Sequence, residues 1–157
     1  MVLYEDTRQQ AGKHRNIHQY CSRHDIEIIR QALNVGDYQI AGKGNISVDT
    51  KYGVPELAMC CFQEHDRFRD ECQRAQRCGI QLIILVENED GIEDLEQVAY
   101  WTNPRLAYSD RAINGPQLMK AMKTMQERYG VVFLFCRPAE AAAVIKDLLR
   151  GGGEPDA

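Results

Sequence analysis

No apolar stretch in this sequence approaches the ~20 residues that a membrane-spanning helix needs, so no membrane partner is expected. The opening residues, Met1 to Asp6, reach an acidic pair at once and lack the basic and apolar zones of a secretory leader. Six cysteines are present, but no two are spaced as CxxC, which argues against a zinc site. Cys60, Cys61 and Cys72 fall where a helix is expected, and there a free thiol behaves as a small buried apolar group. The compartment this suggests is a reducing cytoplasm. Internal repeats and interdomain linkers are absent. Positive charge is also in short supply: 19 Lys and Arg against 23 Asp and Glu leave a net charge of −4. Binding to a polyanion through overall charge is therefore excluded, and any nucleic-acid contact must come from a local cluster.

What is present reads as one domain over residues 1–150, followed by a flexible tail, 151–157, of sequence GGGEPDA. A composition of 44% hydrophobic and 27% charged residues is that of an ordinary globular protein. Val2-Leu3-Tyr4 predicts a first strand, and 13–24 a helix. Ile26–Gln31, Val35–Ile40 and Ile46–Tyr52 are β-rich runs, the last two joined by turn residues Gly42 to Asn45. A long helix is expected from Pro55 to Gly79, with Leu57, Cys61, Phe68, Cys72 and Ala75 as its apolar stripe. IQLIILV (80–86) and VVFLF (131–135) are strands apolar on both faces. Further helices are expected at Ile92–Ala99, Gly115–Tyr129 and Pro138–Leu149. The pattern implies an α/β fold, a central mixed β-sheet flanked by helices on both faces.

The chemistry concentrates in GDYQIAGKGNISVDTK, residues 36–51. If the turn centres on Lys43 and no bulge intervenes, Ile40 faces Ile46, Tyr38 faces Val48 and Asp37 faces Asp49. Asp49 and Lys51 share a strand face. Like charges across a strand pair are destabilising unless something compensates. Two carboxylates so placed suit a hard divalent cation, which takes oxygen ligands and keeps several waters. A lysine beside them can hold a water or neutralise a phosphoryl oxygen. An exposed hairpin with solvated charges would show the same spacing, so the pattern needs its neighbours.

Those neighbours resemble a known family. GDYQI…ISVDTK is similar to the GDY…ERK segment of XPF-type structure-specific endonucleases, a branch of the PD-(D/E)XK nuclease superfamily. EDTRQQ resembles their D-x-R-E at Asp6 and Arg8. HDRFRDECQ resembles their G-R-F/L-x-x-Q helix, and GPQLMKAM…DLL their last helix-strand-helix. The resemblance implies a restriction-endonuclease-like core and a Mg²⁺- or Mn²⁺-dependent DNA endonuclease that leaves a 5′-phosphate and a 3′-hydroxyl. It implies Asp37 and Asp49 as metal-binding acids, Lys51 as the catalytic lysine and Asp6 as a further acid. Arg8, Arg67 and Arg69 are its DNA-contacting arginines. Its alternative is a catalytically silent DNA-binding or scaffold subunit, but such members lose the acids or the lysine. Gln9 stands where the motif has glutamate, Asp49 where ERK has glutamate and Thr50 where it has arginine. The helix-hairpin-helix module that follows the domain in the family has no counterpart in these residues, which leaves an accessory DNA-binding subunit open.

Other candidates have plainer readings. Arg74 and Arg77 fit a solvated helix face with an Asp70–Arg74 pair. The basic residues 13, 14, 15 and 18 serve equally as a backbone grip or as an exposed first turn. Tyr100 to Arg111 mixes aromatics with arginines as single-strand binding surfaces do, yet Trp101, the one tryptophan, marks it as a packed loop. His65 and Glu56 need no role beyond structure. The last helix is apolar over much of its circumference, which suits a homodimer, or cover by the helix Gly115–Tyr129.

Overall fold

The computed structural model describes residues 1–9, 12 and 14–151; the expectations for Lys13 and for the tail beyond Gly151 fall outside the described residues. Its elements are β1 (Val2–Asp6), α1 (Arg15–Arg23), β2 (Glu27–Gln31), β3 (Tyr38–Ile40), β4 (Lys43–Tyr52), α2 (Gly53–Phe62), α3 (His65–Arg77), β5 (Gln81–Glu87), α4 (Gly115–Tyr129), β6 (Val132–Cys136) and α5 (Ala141–Leu149). The six strands form one mixed sheet in the order β2-β1-β3-β4-β5-β6. β1 runs parallel to β2 and antiparallel to β3, β3 antiparallel to β4, and β4, β5 and β6 are mutually parallel neighbours. No helix among the described residues is long and apolar enough to cross a membrane.

Burial follows the sequence pattern. β5 is buried at every position after Gln81, so its side chains feed both faces of the sheet. On one face Leu82, Ile84 and Val86 pack under α2, α3 and α4 through Leu57, Phe68, Cys72 and Met122. On the other, Ile83 and Leu85 meet α1 and α5 through Ile17, Cys21, Ala142 and Ile145. α5 is thus covered by α1 and not by α4, which lies across the sheet.

Three expectations about elements are revised. The single helix from Pro55 breaks at Gln63-Glu64, where both backbone amides turn back to the Met59 carbonyl. The break lets both halves hold an apolar face against β5 and α4. The helix expected at Ile92–Ala99 shrinks to one 3₁₀ turn, Glu96–Tyr100. Asn88 explains this: its Oδ1 accepts from the Asp90 and Ile92 amides and its Nδ2 donates to the Ile92 carbonyl. Backbone groups that a helix would use are already spent. Third, the hairpin turns at Ala41-Gly42 rather than around Lys43, with Gly42 at φ +80°. Ile40 pairs with Lys43, not Ile46, and a bulge restores Tyr38 opposite Val48.

Trp101 is buried and anchors the loop before α4, as expected. Gly115 lets α4 start tight against that loop, since an added Cβ would lie 2.5 Å from the Val98 carbonyl oxygen and 2.7 Å from that of Trp101. Backbone cannot yield cheaply at such distances. Gly115→Ala is expected to cost ~1–3 kcal/mol in thermal or urea unfolding. Gly44→Ala, with open space around it, should change stability by no more than ~0.5 kcal/mol.

Candidate active site

The mouth of the β3–β4 pair opens into a pocket of about 510 Å³, walled by α2 and α3. Gly36 makes its entrance. At φ +71° it turns the chain into β3, and an added Cβ would meet Ser47 Oγ at 2.2 Å. Asp37 follows, its amide donating to the Val48 carbonyl at 2.8 Å and its carbonyl accepting from the Asp6 amide at 2.8 Å. β1 and β4 therefore fix its backbone from two sides.

The Asp37 carboxylate is pinned as well. Its Oδ2 accepts from the Thr50 amide and from Thr50 Oγ1, each at 2.8 Å. Thr50, where the resembled motif has arginine, thus holds an acid in place. One residue either side, on the other face of β4, stand Asp49 and Lys51. Lys51 Nζ lies 2.8 Å from Asp49 Oδ2 and 5.5 Å from the centre of the Phe68 ring. Asp49 Oδ2 is buried and has no aligned hydrogen-bond donor, so the ion pair alone balances it.

Burial governs the protonation of this group. It raises Asp37 above the usual carboxylate range, against the pull of the two Thr50 bonds and Lys51. Burial and then the Asp37 charge push Asp49 up to about 7, with Lys51 pulling the other way. Burial would lower Lys51, but Asp49 overrides it and holds the ammonium above its ordinary value. The site therefore keeps a permanent cation beside an acid pair that retains a proton near neutrality.

The other expected residues are placed less centrally. Asp6 lines the pocket, but its Oδ1 accepts from the Leu33 amide at 3.0 Å and its Oδ2 from Arg8 Nε at 2.6 Å. Arg8 also donates to the Leu33 carbonyl, so the pair staples β1 to the 33–36 segment. Arg67 lines the rim, exposed and with no bonded partner among the described residues. Arg69 is turned away, paired with Asp66 at 3.4 Å and Asp70 at 3.6 Å. Arg74 donates to the Asn34 carbonyl at 3.0 Å instead of pairing with Asp70. Glu56 accepts from the Tyr52 amide as a helix-start acid, and His65 is a half-exposed side chain beside Asp66.

Glu71 was missed by sequence reasoning. It lines the pocket and accepts from the Gly36 amide at 2.8 Å, and burial and the nearby Asp49 raise its pKa. Its signal was its place on α3, four residues from Arg67 and three from Phe68, on one helical face. Among the described residues no three His, Cys, Asp or Glu side chains form a ready metal cage. The acid pair is what the site offers a cation.

A family model described as the ERCC4 domain matches residues 6–148. No curated protein sequence matches the chain. Among solved structures, XPF from Aeropyrum pernix is similar with a TM-score of 0.67 and 22% identity, over 96% of this chain and 64% of that one. XPF from Aeropyrum pernix in complex with DNA is similar with a TM-score of 0.67 and 23% identity, over 95% of this chain and 63% of that one. The chain spans less than two thirds of either structure, and the likeness is one of fold.

A raised carboxylate has a defined linkage. Asp49 holds its proton more tightly folded than unfolded, so its stabilising contribution is complete below about pH 4 and lost as pH rises through about 7. Glu87, also pushed up to about 7 by burial and then Glu56, acts in the same direction. Thermal melts in EDTA should therefore fall between pH 5 and pH 8. Asp49→Asn should flatten part of that slope, and the slope rather than the absolute melting temperature is the readout, because the change also takes the ion-pair partner from the buried Lys51 ammonium. A wild-type melting temperature that climbs over that range would refute the assignment.

Proposed function

The chain belongs to the ERCC4 domain family and has an XPF-type nuclease fold, and from that premise we propose that it is an endonuclease cleaving DNA with Mg²⁺ or Mn²⁺. The observation that carries this reading is the convergence of Asp37, Asp49 and Lys51 at one end of the β3–β4 pair. Two buried carboxylates beside a single ammonium fit a hard divalent cation better than they fit packing alone. Asp37 and Asp49 would hold the ion, which would lower the pKa of a bound water and stabilise charge on the phosphoryl oxygens.

The rest of the work falls to side chains of this chain. Thr50 fixes the rotamer of Asp37 by donating twice to its Oδ2, and the Gln9 side chain adds a hydrogen bond to the same carboxylate. Lys51 keeps its proton beside Asp49, so it acts as a fixed cation that neutralises the phosphoryl group in the transition state and orients the attacking water. Arg67 at the rim meets an incoming phosphate as a point of positive charge, and Arg8, partly exposed while bonded to Asp6, stands on the same side. Asp6 serves the architecture of the pocket through its bonds to Leu33 and Arg8. DNA is the proposed substrate, and assembly as a homodimer or with an accessory DNA-binding subunit is proposed for the recruitment that this small basic rim supplies weakly.

Calorimetric titration with Mn²⁺ and a cleavage panel of flap, fork, single-stranded and duplex DNA test the roles. Asp37→Ala and Asp49→Ala should each lose Mn²⁺ binding and all cleavage. Lys51→Ala should keep binding while its cleavage rate drops ~10²–10³-fold. Undiminished Mn²⁺ affinity in both aspartate variants would overturn the metal assignment. Wild-type protein that binds DNA and metal but cleaves nothing would establish the scaffold alternative.

A further inference from the structure

The loop between β5 and α4 carries a second pocket, of about 230 Å³, on the side of α2 away from the acid pair. α2 and the Gln63-Glu64 turn that follows it form the shared wall. Glu56, Cys60 and Glu64 face the first pocket, while Pro55, Ala58, Met59 and Gln63 face the second. With helix diameter ~10–12 Å including side chains, the two pockets lie about one helix apart.

Their chemistry is opposite. In a chain of net charge −4, the second pocket is lined by Arg105 and Arg111 and by no acidic residue. Among the described residues neither guanidinium has a hydrogen bond or ion pair, and the exposed Asp110 forms none either. The opposing side is mostly apolar, with Pro55, Ala58 and a Met59 left 43% exposed beside Gln63. Tyr108, between the two arginines in sequence, stands 92% exposed. Trp101 anchors the loop from within, so neither the arginines nor Tyr108 is needed for packing.

A ligand that fits must be anionic at its edge and flat and apolar at its centre. The volume is below the ~300–1,000 Å³ of sites for drug-sized ligands and suits one base with its sugar. A paired base in a duplex cannot present its face to such a site, whereas an unstacked base can lie against apolar and aromatic side chains while arginines take its phosphates. We propose that this pocket, with Tyr108, is a subsite for a single-stranded DNA arm leading to or from the acid pair. The choice of DNA rests on the nuclease reading; the site itself rests on the charge and exposure of its lining.

Fluorescence anisotropy with a labelled 12-nucleotide oligothymidylate, in EDTA and over a salt series, reads binding apart from cleavage. Arg105→Ala/Arg111→Ala should weaken binding at least tenfold and lower the slope of log K against log salt by ~1.4, or ~0.7 for each phosphate that an arginine no longer neutralises. Tyr108→Ala should weaken it five-fold or more with the slope unchanged. Thermal melts check folding. Should the double variant melt early, the single changes Arg105→Gln and Arg111→Gln carry the test. Unchanged affinity and slope in these variants, or an equal loss on blunt duplex, would overturn the subsite. Single-strand binding that depends on these arginines without cleavage of any substrate would remove the nuclease reading and leave the subsite. Cleavage with arginine-independent binding would do the reverse.

Discussion

The Asp37 carboxylate, tied to both donors of Thr50, is the contact on which the rest of this site depends. It forces one buried acid to stay beside another. Left free, the Asp37 side chain would swing toward water and away from Asp49, since like charges in a low-dielectric setting repel by several kcal/mol at contact distances. Two bonds from a rigid central strand oppose that escape. The remaining repulsion is met by Lys51, and by a proton that Asp49 keeps until about pH 7.

Much of the surrounding architecture serves to make that placement possible. β3 is only three residues long, so Thr50 finds no strand partner there and its amide is free for the Asp37 side chain. Gly36 turns the chain into the site at an angle that other residues adopt at a cost. Its amide is then held by Glu71 from α3, its neighbour Asp37 by β1 and β4, and the preceding segment by Asp6 and Arg8. Phe68, from the same helix as Glu71, sets its ring 5.5 Å from the Lys51 ammonium. Strain and buried charge of this kind persist where structure over-determines them, and here three elements, β1, β4 and α3, converge on one dipeptide.

The sequence reading met this arrangement unevenly, for physical reasons. Apolar runs such as 80–86 leave one solution, a strand covered on both faces, and β5 is that strand. The hairpin was harder. The pairing of Tyr38 with Val48 is correct although the assumed turn is not, because a tighter turn at Ala41-Gly42 and a bulge in β4 offset each other. Alternation within a strand survives such shifts locally, so Asp49 and Lys51 could be placed together. The break at Gln63-Glu64 left no proline or glycine to signal it. Nor could periodicity tell which polar face of α3 looks into a cavity. Arg67 and Glu71 do, while Arg69, two residues along, turns to Asp66 and Asp70. Long-range partners were beyond local pattern altogether, as Arg74 shows by reaching the Asn34 carbonyl.

Charge balance gives the site its direction. The first pocket is lined by six carboxylates and four Lys or Arg side chains, so a bare phosphodiester would enter against net repulsion. On the nuclease reading a divalent cation reverses that balance, and it competes with the proton on Asp49 for the same oxygens. Cation and DNA then favour each other's binding by one shared factor, as linkage requires. Neither has to be held strongly alone. An acidic pocket that keeps its ammonium and gives up its proton is therefore suited to assemble only when ion and substrate arrive together, which restrains a phosphodiester-cleaving centre when either is missing.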